Sequence, residues 1–225
     1  MVEILKLKKI NKIYGETLQF HVLHDIDLSI SDSSLNVLVG KSGSGKTTLL
    51  QIMGTLDNPT SGDVYISNIK TNDLKENELS VLRNQEIGFI FQFHYLLPEF
   101  TVMENILMPA YINNSKLSDE VIDKANELMT KIDITDIKNK LIKNISGGEQ
   151  QRTAIARALI NDPKIVFADE PTGNLDSVNT EKILSLIQDI HETYGTTFLI
   201  VTHSETIASR IDRVIEISDG RISNT

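Results

Sequence analysis

The 225-residue chain contains no cysteine, which rules out disulfides, thiolate metal sites and a cysteine nucleophile. It contains no run of about eighteen apolar residues, the length a helix needs to cross a bilayer. Residues 1–6 lack the basic start, apolar stretch and small cleavage residues of a signal peptide. These features predict a cytoplasmic protein that would serve a membrane only by docking on a separate membrane protein. Basic charge is also in deficit: 22 lysines and arginines face 31 aspartates and glutamates, a net charge of −9. A nucleic-acid binder needs a basic surface to meet phosphates, so the balance argues against one. There is no internal repeat, low-complexity tract or flexible linker. What remains is ordinary for a globular protein, 40% hydrophobic and 24% charged, and long enough for one large domain with a sizeable core.

Apolar strand-like runs at 35–39, 63–66, 87–92, 165–168 and 198–202 alternate with helical patterns at 46–56, 148–160 and 180–194, and 213–217 reads as a last strand. Thr101 and Glu104 fit a capping box, Ser118 a cap for the helix whose apolar face carries Val121, Ala125, Leu128 and Met129, and Gly195 a C-terminal stop. Alternating strands and helices predict an α/β core with a mostly parallel sheet. The helical block from about 101 to 161 interrupts the alternation and reads as an inserted sub-domain.

Gly40, Lys41, Ser42, Gly43, Ser44, Gly45, Lys46 and Thr47 match the phosphate-binding P-loop pattern. Its glycines let the backbone curl tightly around phosphates, its N–H groups form an anion nest, and the next helix offers its positive end. Lys46 is spaced to reach the β and γ phosphates, with the Thr47 hydroxyl for Mg²⁺. Lys41 stands where a proline or small residue is more usual. The second element is the apolar run 165–168 followed by Asp169 and Glu170. Ligand sites in open α/β sheets lie at such strand ends. Asp169 is predicted to hold Mg²⁺, and Glu170 to orient and deprotonate an attacking water.

Residues 145–152, Ile-Ser-Gly-Gly-Glu-Gln-Gln-Arg, sit within the helical block. With the two elements above, this run resembles the signature motif of the ABC transporter ATPases, with Ile145 for the more frequent leucine. The resemblance covers essentially the whole chain. It implies a single ATPase domain over 1–225, with residues 1–92 and 162–225 as nucleotide-binding core, including an N-terminal antiparallel β part, and residues 93–161 as helical sub-domain. It implies ATP and Mg²⁺ as ligands. It also assigns roles: Gln92 linking γ-phosphate and Mg²⁺ to the helical sub-domain, His203 on the γ-phosphate and Tyr14 stacking on adenine. Thr48 completes the P-loop contacts, and Asn174, Leu175 and Asp176 form a loop crossing a dimer interface. The dimer itself is head-to-tail, two ATP molecules each held between one copy's P-loop and the other's Ser146, Gly147 and Gly148.

Within that family, residues 82–85, 88–101 and 168–176 resemble the lipoprotein-releasing (LolD-type) ATPases, the run Phe93 to Phe100 being the narrower part of the match. His94-Tyr95 stands where two histidines are frequent. The resemblance implies integral membrane permease partners, a peripheral place on the cytoplasmic side of the inner membrane, and docking of a partner helix after Gln92. Macrolide-exporter and cell-division ATPases share much of the pattern. A soluble ABC ATPase of DNA repair or translation is disfavoured by the single cassette and the acidity, and a non-hydrolysing regulator by Glu170 and His203.

Overall fold

A computed structural model describes residues 2–15, 17–113, 116–173, 175–211 and 213–224. The chain opens with a long hairpin, β1 (Glu3–Tyr14) and β2 (Phe20–Ser31), and continues through β3 (Leu35–Val39) into α1 (Lys46–Met53). A short pair, β4 (Ser61–Ile66) and β5 (Ile69–Lys70), precedes α2 (Glu76–Glu86) and β6 (Ile87–Ile90). The helices α3 (Val102–Asn113), α4 (Asp119–Lys131) and α5 (Gly147–Leu159) follow. Then come β7 (Ile165–Asp169), α6 (Ser177–Tyr194), β8 (Thr197–Thr202), α7 (Glu205–Ala208), β9 (Arg213–Ser218) and β10 (Arg221–Asn224).

The strands form two sheets. One is antiparallel, ordered β2-β1-β4-β5; the other is ordered β10-β9-β3-β8-β7-β6, parallel except for its β10 edge. The parallel sheet is apolar on both faces, as a sheet covered on both sides must be. Its residues alternate between two cores. Val37, Val166, Ala168, Phe198 and Ile200 pack with the helical layer of α3 to α6. Leu38, Phe167, Leu199 and Val201 pack with α1 and the antiparallel sheet. The period of two along each strand places consecutive side chains in different layers, so the sheet is fixed from both sides and its strand ends are held rigidly.

The foreseen capping box is present at the start of α3. The Thr101 N–H donates to Glu104 Oε2 at 2.8 Å, and the Glu104 N–H returns to Thr101 Oγ1 at 3.2 Å. Gly195 ends α6 in the left-handed conformation, with φ 66°. Ser118 occupies the N-cap of α4 but makes no side-chain cap bond. Several boundaries differ from the sequence reading. The helix expected over 46–56 stops at Met53 because Thr55 turns into the left-handed region at φ 57°, its N–H bonding the Ile52 carbonyl and the Leu56 N–H the Gln51 carbonyl. The strand expected to reach 92 ends at Ile90, leaving Gln92 in the following loop. Arg213–Ser218 is not the last strand, since β10 folds back against it.

Candidate nucleotide-binding site

Three adjacent parallel strands deliver the site. In register, Val39 lies beside Thr202, and Asp169 beside Val201. The loop after β3, the two carboxylates ending β7 and the residue after β8 therefore meet at the carboxyl edge of the sheet. A cavity of about 400 Å³ opens there, lined by Ser42, Gly43, Gly45, Lys46, Thr47, Thr48, Gln92, Asp169, Glu170 and His203. Val22 of β2 also lines it. Nothing in the sequence flagged Val22, because its place depends on how the two sheets stack.

The loop's curl has a steric cause. Gly45 adopts φ 103°, and a Cβ there would come within 2.9 Å of the Leu23 side chain. A Cβ on Gly40 would lie 2.3 Å from the Ile217 carbonyl oxygen. The Lys46 ammonium folds back over the loop and donates to the carbonyls of Gly40 at 2.7 Å and Lys41 at 2.9 Å. The Lys41 side chain is exposed and does not line the cavity. The Ser44 hydroxyl is buried and makes no hydrogen bond among the described residues.

Glu170 is a non-glycine residue at φ 44°, a conformation that costs of order 1–3 kcal/mol and persists only where the surroundings impose it. They do so here: its N–H donates to the Val201 carbonyl at 2.8 Å, and its carbonyl accepts from the Gly173 N–H at 3.0 Å. The carboxylate is fixed as well. Oε2 accepts from the Thr202 hydroxyl at 3.0 Å, while Oε1 accepts from the His203 N–H at 2.9 Å and meets His203 Nδ1 at 2.6 Å. Sequence reasoning did not single out Thr202 as a site residue; its position at the end of a strand neighbouring β7 was the available signal. Burial pushes the Asp169 carboxyl above its usual range, the Glu170 charge adds to the push, and Lys46 opposes it. Gln92 lies against Gly173, whose added Cβ would come 3.0 Å from Gln92 Nε2.

The other predicted residues lie outside this cavity. Tyr14 ends β1 with its ring 40% exposed, so it is not packed into the core. Its hydroxyl donates to Asp57 Oδ2 at 2.8 Å, and Lys12 Nζ stands 4.7 Å from the ring centroid. Ser146 caps α5, donating its hydroxyl to Glu149 Oε2 at 2.7 Å and accepting the Glu149 N–H at 3.4 Å. The Ser146 hydroxyl and the Ser146 N–H, which donates to the same Oε2 at 2.7 Å, hold the Glu149 carboxyl below its usual range. A Cβ on Gly147 would meet nothing within 4 Å, and one on Gly148 would find Asn179 Oδ1 at 3.8 Å. Nothing in this chain's own packing requires either glycine. Asp176 caps α6 by accepting from the Asn179 N–H and Nδ2, both at 2.8 Å. Asn174 lies outside the described residues.

Beyond Gln92, Leu96 packs against the helical core, whereas Leu97 and Phe100 are 41% and 40% exposed. His94 is half-buried and Glu99 exposed. A second cavity of about 540 Å³ lies beside this loop, between Leu56, Phe89, Phe91, Tyr95, Ile112 and Arg157.

A parallel sheet whose strand runs through a glycine loop into a helix, with paired carboxylates at the end of a nearby strand, defines a P-loop nucleotide hydrolase. A family model described as ABC transporter matches residues 23–173, and the chain belongs to that family. It is 43% identical over 225 residues to "Lipoprotein-releasing system ATP-binding protein LolD 1" of Rhodopseudomonas palustris, covering 99% of this chain and 100% of that one. It is 47% identical over 219 residues to the LolD protein of Bacteroides thetaiotaomicron, covering 97% and 99%. Among solved structures, the dimeric post-hydrolysis state of the ATP-binding cassette MJ0796 bound to ADP and Pi superposes with a TM-score of 0.89. That match is at 39% identity and covers 98% of this chain and 97% of that one. Among the described residues no helix is long and apolar enough to cross a membrane.

Proposed function

We propose that this chain is the ATP-hydrolysing subunit of a lipoprotein-releasing transporter, acting as a pair of copies beneath integral membrane partners on the cytoplasmic side of the inner membrane. The observation that carries the hydrolytic part is the carboxylate of Glu170, fixed by Thr202 and His203 at the edge of the cavity that Lys46 lines. The end-to-end similarity to lipoprotein-releasing relatives supports the biological part.

The residues fit a triphosphate. The parked ammonium of Lys46 would exchange two neutral carbonyls for β and γ phosphate oxygens, a stronger charge-assisted pairing, while the loop N–H groups and the α1 N-terminus add an anion nest. No cluster of three acidic or histidine ligands capable of holding a metal exists among the described residues. Mg²⁺ keeps waters and phosphate oxygens and needs few protein ligands. Thr47, Gln92 and Asp169 would hold it, and its charge would offset that of the phosphates. Glu170 takes a proton from water as the water oxygen bonds to the γ-phosphorus. The bond to the β–γ bridging oxygen breaks, leaving ADP and phosphate. His203 steadies the γ-phosphate, and Tyr14 offers its ring to adenine.

Ser146, Gly147, Gly148 and Asp176 act on the nucleotide of the second copy, in keeping with a Gly147 that opens onto solvent and a Gly148 that this chain's packing leaves room to substitute. On this reading the core of 1–92 and 162–225 and the helical unit of 93–161 shift relative to each other as the pair closes. The groove by Phe91 and Tyr95 receives a helix of the membrane partner. Purifying tagged Glu170→Gln with ATP from native membranes tests the assignment. Recovery of a membrane protein pair carrying lipoproteins is expected; an exporter-type or cell-division partner without lipoproteins would contradict it.

A further inference from the structure

The loop that follows Gln92 is bound to helix α5 by one half-buried cation. Arg157, in the last turn of α5, donates Nη1–H to the Tyr95 carbonyl at 2.7 Å and Nη2–H to the His94 carbonyl at 2.6 Å. No carboxylate pairs with it among the described residues, and burial alone pushes its guanidinium pKa down. A partly desolvated arginine without a counter-ion needs its donors satisfied, and these two carbonyls satisfy one donor on each terminal nitrogen.

The carbonyls themselves are presented by strained backbone. His94 and Tyr95 have φ of 60° and 48°, successive left-handed residues that neither side chain favours. The turn is closed by the His94 N–H to the Phe91 carbonyl at 3.0 Å and the Tyr95 N–H to the Phe93 carbonyl at 2.6 Å. The His94 imidazole, its pKa lowered by burial, lies against the side chains of Gln151 and Gln150 in the first half of the same helix. The loop is thus held to α5 at two places, and the helix that holds it begins at Ser146. Arg157 and Tyr95 also form part of the wall of the groove beside the loop. About 16 Å of helix separate Arg157 from Ser146.

We propose that Arg157 is a positioning residue: its planar fork makes the loop after Gln92 and helix α5 one moving part. A partner pressing on the groove would then displace Gln92 and the Ser146 end of α5 together. This rests on the hydrolytic reading above, since only there do Gln92 and Ser146 both serve nucleotide. Lysine cannot replace the fork, because a point charge holds one carbonyl where the guanidinium holds two in fixed relative geometry.

The test is Arg157→Lys with Mg-ATP as the probe. Equilibrium ATP affinity is expected to stay within about twofold, because the P-loop is untouched, while kcat falls about tenfold or more through misplacement of Gln92 and Ser146. Amide hydrogen exchange at residues 93–97 should accelerate. Adding Tyr95→Gly, which enters the left-handed region without steric cost, should restore part of kcat. An unchanged kcat, or a loss of kcat with unchanged exchange at 93–97, would overturn the proposal. Exchange in the unsubstituted protein supplies a check that needs neither turnover nor a folded variant. Residues 94 and 95 should open with α5, and exchange there about a hundredfold faster than in 151–157 would overturn the latch. If the unsubstituted protein bound ATP without turnover even with its partner, the hydrolytic reading would fail while the exchange result still decided the latch.

Discussion

Replacing Glu170 by glutamine separates chemistry from structure at this site. The carboxylate is an acceptor for three donors: the Thr202 hydroxyl at 3.0 Å, the His203 N–H at 2.9 Å and His203 Nδ1 at 2.6 Å. Glutamine has the same length and keeps a carbonyl oxygen for the His203 contacts. Its NH₂ can donate to Thr202, whose hydroxyl rotates to accept. The charge-assisted bonds to the carboxylate become weaker neutral ones, a loss offset in part because a neutral amide is cheaper to desolvate, so the net change is about 1 kcal/mol. The positive φ of Glu170 is imposed by main-chain bonds that the substitution leaves alone. What disappears is the base, and loss of a positioned general base costs about 10²–10⁴ in rate. Single-turnover and steady-state phosphate release should therefore fall at least about a hundredfold, with ATP affinity and thermal midpoint nearly unchanged. Turnover within about threefold of the unsubstituted protein would refute the assignment of Glu170 as base and require another residue to activate the water.

Two further outcomes follow from packing and charge. Phe167 is fully buried in the core between the parallel sheet and α1, so Phe167→Ala should lower unfolding stability by about 3–5 kcal/mol in urea denaturation; a change under 1 kcal/mol would mean the core collapses around the gap. Burial pushes the Asp57 carboxyl up, but hydrogen bonds from Lys12, Tyr14 and the Asn58 N–H outweigh it and leave the group below its usual value. A carboxyl depressed by folding contributes stability that is complete above the unfolded value of about 3.9 and is lost as pH falls through the folded value. The stability difference between the unsubstituted protein and Asp57→Asn should thus shrink on going from pH 6 to the acid side of that range; a difference that grows in acid would contradict the network.

The elements that could be read from sequence were those whose signals are local. The P-loop declares itself by glycine spacing, the α3 start by Thr101 with Glu104, and the end of α6 by Gly195, whereas the Ser146–Glu149 box that caps α5 went unread. What could not be read depends on neighbours distant in sequence. Helix α2 buries only Leu79 and Leu82 from a polar run, too weak a stripe to stand out. The β10 edge is a four-residue strand with only Ile222 packed against the core. Helix α1 ends where Thr55 turns left-handed, and Gly54 must lack a side chain because a phenylalanine 35 positions later covers it. The same reason hid Val22, Thr202 and Asp57: each reaches the site or its border through strand register or sheet stacking. Tyr14 was assigned through the family resemblance as the adenine-stacking aromatic, but the Asp57 and Lys12 contacts of its side chain were not readable.

The central claim is that two copies of this chain close over ATP through the open glycines at the start of α5. Sedimentation of Glu170→Gln with and without Mg-ATP tests it most directly, with Glu170→Gln combined with Ser146→Arg as control. The account predicts a shift from one copy to two on adding Mg-ATP, abolished by the arginine although that chain still binds nucleotide. A single copy throughout at saturating Mg-ATP, or a pair that forms equally well with Ser146→Arg, would contradict it.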